Sequence, residues 1–165
     1  ARNKYIVNLT LGMESNTLLL FRFVEKHGQL LYDMIRENAD GKRKIFFVHG
    51  GTDTDTRENI RHVVESERNA IIVASYGVFS VGVNIRNLSN IVFASPSKSR
   101  IRNLQSIGRG LRKSNLKKMA TLYDIADDLK HKEKKNYTLE HYEERVRVYK
   151  EERFPLATYH IQLKT

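Results

Sequence analysis

Residues 70–77 read Ala-Ile-Ile-Val-Ala-Ser-Tyr-Gly, a short apolar run that ends in a polar, glycine-containing turn. A continuous apolar run of this length, without alternation, predicts a strand that is buried on both faces, as in a parallel sheet. Comparable runs on either side occupy residues 17–21, 45–48, 91–94 and 119–123. The chain therefore contains at least five predicted strands of the same kind.

Between these runs, apolar residues recur with helical spacing in residues 24–35, 55–64 and 97–107. Asp55 to Glu58 fits a capping box that opens the second helix, and Ser97 or Ser99 fits the N-cap of the third. Gly41 is a plausible stop beyond the first helix. The alternation predicts an α/β fold: a doubly wound, mainly parallel sheet with helices on both faces and ligands at the carboxyl ends of its strands.

The character of the chain changes after Asp128. Residues 130–135 form a charged connector, which is more often a solvated loop than a binding site. In the next helix, an apolar stripe should bury against this domain or a neighbouring one; its members are Leu139, Tyr142, Val146 and Tyr149. Pro155 should end this helix, and residues 156–163 are predicted to form a terminal edge strand.

The composition excludes several classes of protein. The 165 residues suffice for one globular domain, and the formal net charge of +10 favours a polyanionic partner, nucleic acid first, over an indifferent basic surface. The absence of Cys excludes disulfides and thiolate metal sites. No apolar run suits a membrane span and residues 1–11 do not resemble a signal peptide, so we expect a cytosolic compartment. The start at Ala1 without Met suggests a piece of a longer chain.

The segment from Ser97 to Lys118 carries eight Lys and Arg residues and no acidic residue. Within it, Gln105-Ser-Ile-Gly-Arg-Gly-Leu-Arg112 places Arg109 and Arg112 three residues apart, on one side of a helical turn. Two guanidinium groups so placed can hold a phosphate from two directions, and the neighbouring glycines allow close approach. A basic surface helix with structural glycines is the alternative.

A second polar constellation follows the predicted strand at residues 70–74. Residues 75–85 contain two Gly, two Ser and an Asn at the expected carboxyl edge, where amides and hydroxyls can hold a phosphate. A simple turn that uses glycine for its backbone conformation explains the pattern equally well.

No Gly-x-x-x-x-Gly-Lys-Ser/Thr loop occurs anywhere in the sequence, so no segment can be named that would cradle the β- and γ-phosphates of a nucleotide. Asp124, with Asp127 and Asp128 nearby, resembles the acid of a magnesium site. Without a phosphate loop, a strand end followed by a helix cap is the favoured interpretation. The six His residues show no paired metal-ligand spacing, and no metal site is predicted.

Three of these segments, in order, resemble motifs IV (17–23), V (75–84) and VI (105–112) of superfamily-two helicases, the last as Gln-x-x-Gly-Arg-x-x-Arg. The chain is similar to the C-terminal RecA-like domain of such helicases. The resemblance divides it into a leading linker from a preceding domain (1–16), a RecA-like motor domain (17–128) and an accessory extension (129–165). It is strongest to recombination and repair helicases, which implies an ATP-dependent DNA helicase that remodels branched DNA.

The resemblance also assigns roles to residues. ATP and Mg²⁺ would bind between this domain and a preceding N-terminal RecA-like domain, which supplies the phosphate loop, so the isolated chain should be inactive. Arg112 would be the arginine finger and Arg109 its partner, with Gln105, Gly82 and Asn84 near the nucleotide. Asn84 stands where many members of the family carry Asp, so the resemblance does not extend to a ribose contact at this position. The DNA backbone would meet five residues at the strand ends: Arg22, His49, Arg57, Ser75 and Tyr76.

Two other functions stay open at this point. One is a non-catalytic nucleic-acid-binding module, in which the paired Arg residues hold DNA phosphate. The other is a self-contained phosphoryl-transfer or nuclease domain with Asp124, Asp127 and Asp128 as metal ligands.

Overall fold

The computed structural model describes residues 1–80, 87–95, 120–129, 134 and 136–164. Within them one sheet contains five strands in the order β2-β3-β1-β4-β5, and every neighbouring pair is parallel. The predicted sheet is confirmed, with strand ends shifted by at most two residues. The strands are β1 (Thr17–Phe21), β2 (Ile45–Val48), β3 (Ile71–Ser75), β4 (Asn90–Phe93) and β5 (Thr121–Asp124).

Helices cover both faces of this sheet. The described helices are α1 (Arg2–Gly12), α2 (Gln29–Asn38), α3 (Thr54–Ser66), α4 (Tyr76–Ser80) and α5 (Tyr137–Glu151), with a π-helical turn at Val24–Gly28. Residues of α1 and α2 pack with Leu19 and Phe21 on one face. Residues of α3 and α5 pack with Leu18 and Leu20 on the other. Within the described ranges, no helix has the length and apolar character needed to cross a membrane.

Helix α1 lies in the segment that was expected to be a linker. Ile6 and Val7 are buried in the same cluster as β1, so residues 2–12 are part of the folded domain. The sequence did not indicate this helix because its buried face includes Thr10, whose hydroxyl donates to the carbonyl of Ile6 at 2.8 Å. A polar residue on the inner face interrupts the apolar stripe by which such helices are identified.

At the end of the π-helical turn, Gly28 packs directly against the ring of Phe21. A Cβ at Gly28 would lie 2.3 Å from Cε2 of that ring, so any larger residue would displace it. The carbonyl of Phe23 accepts hydrogen bonds from the backbone N–H groups of His27 at 3.1 Å and Gly28 at 2.9 Å. In the following helix Leu31 and Ile35 are buried, whereas Leu30 is exposed.

Two predicted helix starts differ from the structure. Helix α3 begins two residues earlier than the capping box suggested, because Asp53 is the N-cap and accepts from the backbone N–H of Thr56 at 2.8 Å. After β5, residues 125–129 form no helix, so Asp124 does not precede a helix cap.

The terminal edge strand predicted for residues 156–163 does not form. Residues 154–164 have no regular secondary structure, and Tyr159 is 83% exposed. No described strand pairs with residues 156–163 despite their alternating apolar pattern, and a strand needs such a partner for its backbone hydrogen bonds.

Candidate functional site at the carboxyl edge of the sheet

The carboxyl ends of all five strands lie along one edge of the sheet, because every pairing is parallel. The register aligns Val48 with Ala74, Phe21 with Ser75, and Phe93 with Asp124. From β2 to β5, the edge therefore carries the following residues in spatial order: His49, Ser75, Arg22, Ser95 and Asp124. Polar residues that are distant in sequence therefore lie along one edge, as the doubly wound fold predicts.

Arg22 is exposed at the centre of this edge, directly after β1. Its guanidinium carbon lies 4.8 Å from the ring centroid of Phe23, which is 53% exposed. The backbone N–H of Arg22 donates to the hydroxyl of Ser95 at 3.3 Å, which connects the loops after β1 and β4. The side chain is thus available to an anion while its backbone is held in place.

A polar chain runs from Ser95 through His27 to α1. The Ser95 hydroxyl lies 3.0 Å from His27 Nδ1, and Asn3 Oδ1 lies 3.0 Å from His27 Nε2. Since a carbonyl oxygen only accepts, we assign the ring proton to Nε2, and the Ser95 hydroxyl then donates to Nδ1. Burial, together with the positive charge of Arg2, lowers the pKa of His27, so the ring is neutral and this arrangement is favoured.

His49 and Arg57 build the loop after β2. The backbone N–H of Gly51 donates to His49 Nδ1 at 3.0 Å. The Arg57 guanidinium donates to the carbonyls of Thr52 at 2.8 Å and Gly50 at 3.3 Å. Both side chains are half-buried, so they hold the loop while part of each side chain faces solvent. Their contact with a nucleic acid stays a prediction.

Ser75 is the last residue of β3 and Tyr76 the first of α4, and both are buried. Ser75 is 7% exposed and Tyr76 is 2% exposed. The ring of Tyr76 meets that of Phe93 edge to face, with centroids 5.6 Å apart. This burial argues against a side-chain contact between Tyr76 and a DNA strand, because the ring is part of the core.

Asp124 at the end of β5 is neutralised by α5. Arg145 Nε donates to Asp124 Oδ2 at 2.7 Å, Arg145 Nη2 donates to Oδ1 at 2.8 Å, and the Tyr149 hydroxyl donates to Oδ2 at 2.6 Å. Burial alone would lower the pKa of Arg145, but its bonds to Asp124 outweigh that effect and raise it. Burial also raises the pKa of Tyr149, and the carboxylate beside it adds to the effect.

Asp124 and Asp127, which one alternative assigns to a metal site, both accept hydrogen bonds from protein donors. Both carboxylate oxygens of Asp124 accept from protein donors, and Asp127 accepts from Arg2 Nε at 2.8 Å. In residues 1–80, 87–95, 120–129 and 136–164, no three His, Asp or Glu side chains converge as a metal site would require. The sequence did not reveal Arg145 as a core residue; its only signal is a position four residues before Tyr149, on the apolar stripe.

The remaining predicted site residues lie outside the described part of the chain. Gly82 and Asn84 fall within residues 81–86, and Gln105, Arg109 and Arg112 fall within residues 96–119. In sequence, the first group directly follows α4 and the second lies between β4 and β5. Their roles stay predictions.

Comparison with known proteins agrees with this architecture. The family model of the helicase conserved C-terminal domain matches residues 1–114. The ATP-dependent DNA helicase UvsW of Enterobacteria phage T4 is 37% identical over 93% of this chain, and the match covers 32% of that protein. The chain thus spans about a third of the length of this relative.

Solved structures give the same result. The crystal structure of T4 UvsW matches with a TM-score of 0.75 and 38% identity, covering 93% of this chain and 33% of that chain. The C-terminal part of the Fun30 ATPase domain matches with a TM-score of 0.58 and 13% identity over 90% of this chain and 52% of that chain, which supports the fold alone. The fold is RecA-like, and the chain belongs to the helicase conserved C-terminal domain family.

Proposed function

We propose that this chain is the second motor domain of an ATP-dependent DNA helicase or translocase. The observation that carries the proposal is the 37% identity over 93% of the chain to a protein named an ATP-dependent DNA helicase. The row of polar and basic residues at the carboxyl edge gives this assignment a physical basis, because ligands of doubly wound folds gather there.

In this proposal the nucleic acid is held by its backbone. The exposed guanidinium of Arg22 is the principal contact, and the loop of His49 and Arg57 lies at the same edge of the sheet. A translocase must hold every sequence alike, and phosphate contacts carry no sequence information. The net charge of +10 has the sign required for such contacts.

The ATPase site of the proposal is shared with a preceding N-terminal RecA-like domain. That domain would supply the phosphate loop, which this sequence lacks, and the ligands of Mg²⁺. Because Asp124 is satisfied by Arg145 and Tyr149, it is not a free ligand for the metal. This chain would contribute Arg112 as the finger and Arg109 as its partner, with Gln105, Gly82 and Asn84 beside the nucleotide.

The similarity to UvsW also motivates a more specific biological role. We propose that the full protein remodels branched DNA in recombination, replication and repair. It would act inside a bacterial cell infected by a phage, since the relative is a phage protein. The isolated chain would bind DNA weakly and would not hydrolyse ATP, because a finger without a phosphate loop has no nucleotide to act on.

The alternative is a non-catalytic nucleic-acid-binding module, which the charge of +10 alone would also favour. ATP hydrolysis by the isolated chain and by the full-length protein, with and without DNA, separates the two. The motor proposal expects an inactive isolated chain and a DNA-stimulated full-length enzyme. An inactive full-length protein that still binds DNA would replace the motor with the binding module.

DNA binding by the isolated chain tests the proposed contact with the DNA backbone. Binding of the isolated chain to DNA should weaken as salt rises, with a log–log slope of about −0.7 to −0.9 for each phosphate contact. An affinity that does not change with salt concentration would contradict binding through DNA phosphates.

A further inference from the structure

Phe23 is a solvent-exposed aromatic residue at the carboxyl edge of the sheet, where the proposed function places DNA. It is 53% exposed, whereas Phe21 two residues earlier is fully buried. We propose that Phe23 is a stacking platform for an unpaired nucleobase of the strand whose phosphate Arg22 holds. This inference rests on the proposed function and deepens it, because it adds a contact with a base to contacts with the backbone.

The backbone on either side of Phe23 is fixed. Its carbonyl accepts two hydrogen bonds, from the N–H groups of His27 and Gly28. On the other side, the N–H of Arg22 is bound to the Ser95 hydroxyl, which in turn meets His27. Because the backbone is held on both sides of Phe23, this residue loses little conformational freedom when a base binds, which favours stacking.

The neighbouring charge suits a nucleotide. The guanidinium of Arg22 sits 4.8 Å from the Phe23 centroid, so one residue offers a cation and the next an aromatic surface. Single-stranded nucleic acids are bound by this combination, in which a base stacks on a ring and its phosphate meets a cation. Glu25 in the next turn is exposed and acidic, but Lys26 beside it offsets that charge.

The stacking of a base does not depend on its identity, because every base has a flat π-face. The contact therefore remains compatible with a motor that must move along any sequence. It does require an unpaired strand, and we expect the Phe23 contribution to appear with single-stranded DNA and to vanish with DNA that lacks bases.

The sequence contains no Trp, so Phe23→Trp introduces a single indole at the proposed site. We expect its emission to fall when oligo(dT) binds, and to stay constant when an abasic oligonucleotide of equal length binds. Leu30→Trp is the matched control, since Leu30 is 45% exposed on α2 but is not part of the proposed site. Its emission should not respond to either oligonucleotide.

Affinity measurements complete the test. Phe23→Ala should weaken oligo(dT) binding on the order of 5- to 150-fold and leave abasic binding unchanged, whereas Phe23→Tyr should retain it. Equal affinities of Phe23→Ala and the parent chain for oligo(dT) would overturn stacking and leave the motor proposal intact. A defect of Phe23→Ala confined to ATP hydrolysis by the full-length protein would overturn stacking in favour of a contact with the preceding domain. Failure of every oligonucleotide to bind at low salt would count against the proposed function itself.

Discussion

Arg145 and Asp124 form a two-point ion pair in which both carboxylate oxygens accept from one guanidinium, at 2.7 and 2.8 Å. The side chains are 1% and 9% exposed, so the pair is shielded from water. It connects α5 to the last residue of β5. The segment after Asp128 therefore contributes to the same core as the sheet, although the sequence suggested an accessory.

Arg145→Met should lower the free energy of unfolding by about 3–5 kcal/mol, because it leaves the carboxylate of Asp124 buried without its cation. Urea denaturation measures the effect. Arg147→Met on the exposed side of the same helix is the matched control and should cost less than about 1 kcal/mol. Equal losses for the two variants would show that the buried pair contributes nothing specific.

Tyr149→Phe should reveal a pH-dependent contribution. The folded chain raises the pKa of Tyr149 above the ordinary phenol value, so the native state keeps a proton that the unfolded state releases above about pH 10. This contribution is complete below that pH and is lost as the pH rises, by up to about 1.4 kcal/mol per pH unit. The difference in unfolding free energy between parent and variant should thus be constant up to about pH 9 and shrink as the pH rises above about 10. A constant difference contradicts the assignment.

His27 should make the chain less stable in mild acid. Burial and the charge of Arg2 lower its pKa, so below about pH 6.5 the unfolded state binds a proton that the folded state resists. Stability is full above that pH and falls as the pH drops. His27→Gln should reduce the loss of melting temperature between about pH 7.5 and about pH 5.5. This range extends about one pH unit on either side of the ordinary histidine pKa. His160→Gln, at an exposed position, should not change it.

The sheet was predictable from sequence because its signal is local. Each strand is a continuous apolar run, and burial on both faces dictates such a run whatever the neighbours are. The site was less predictable because its contacts are long-range. Ser95 and His27 are 68 residues apart, and nothing in either segment indicates the other. Arg145 was missed because a charged residue is buried only when a distant partner neutralises it.

In the candidate site, too, the positions of residues along the chain were predictable, whereas the directions of their side chains were not. The resemblance to helicases placed Arg22, His49 and Ser75 at strand ends, and the parallel order brings those ends to one edge. It could not show that Tyr76 points into the core, since that depends on the ring of Phe93 from another strand. Side-chain direction after a strand is a product of packing, and a motif does not encode it.

Two truncations should separate the extension into parts. Ending the chain after Phe154 removes residues 155–165, of which residues 155–164 form no regular structure and are exposed, so the melting temperature should change by less than about 2 °C. Ending it after Asp128 removes Arg145 and Tyr149 and should abolish cooperative unfolding. Thermal unfolding followed by circular dichroism distinguishes the two. Cooperative melting of the shorter chain near the parent temperature would contradict a structural role for α5.

The motor proposal is tested most directly at Arg112 in the full-length protein. An arginine finger meets more negative charge in the transition state than in the ground state, so its loss falls on kcat. Arg112→Ala should reduce ATP turnover on the order of 10³- to 10⁵-fold, equivalent to about 4–7 kcal/mol, while ATP and DNA binding persist. Arg112→Lys should restore little, because an ammonium cannot reproduce the planar fork of donors.

Arg100→Ala is the matched comparison, since Arg100 lies in the same basic segment but outside Gln-x-x-Gly-Arg-x-x-Arg. It should weaken DNA binding and leave turnover at saturating DNA near normal, because a phosphate contact contributes to affinity and not to the chemical step. Steady-state ATPase assays at saturating DNA, with separate nucleotide and DNA titrations, measure both variants. Near-normal turnover of Arg112→Ala together with loss of turnover in Arg100→Ala would reverse the assignment of the finger. The paired arginines would then be DNA-phosphate ligands, as in the non-catalytic binding module.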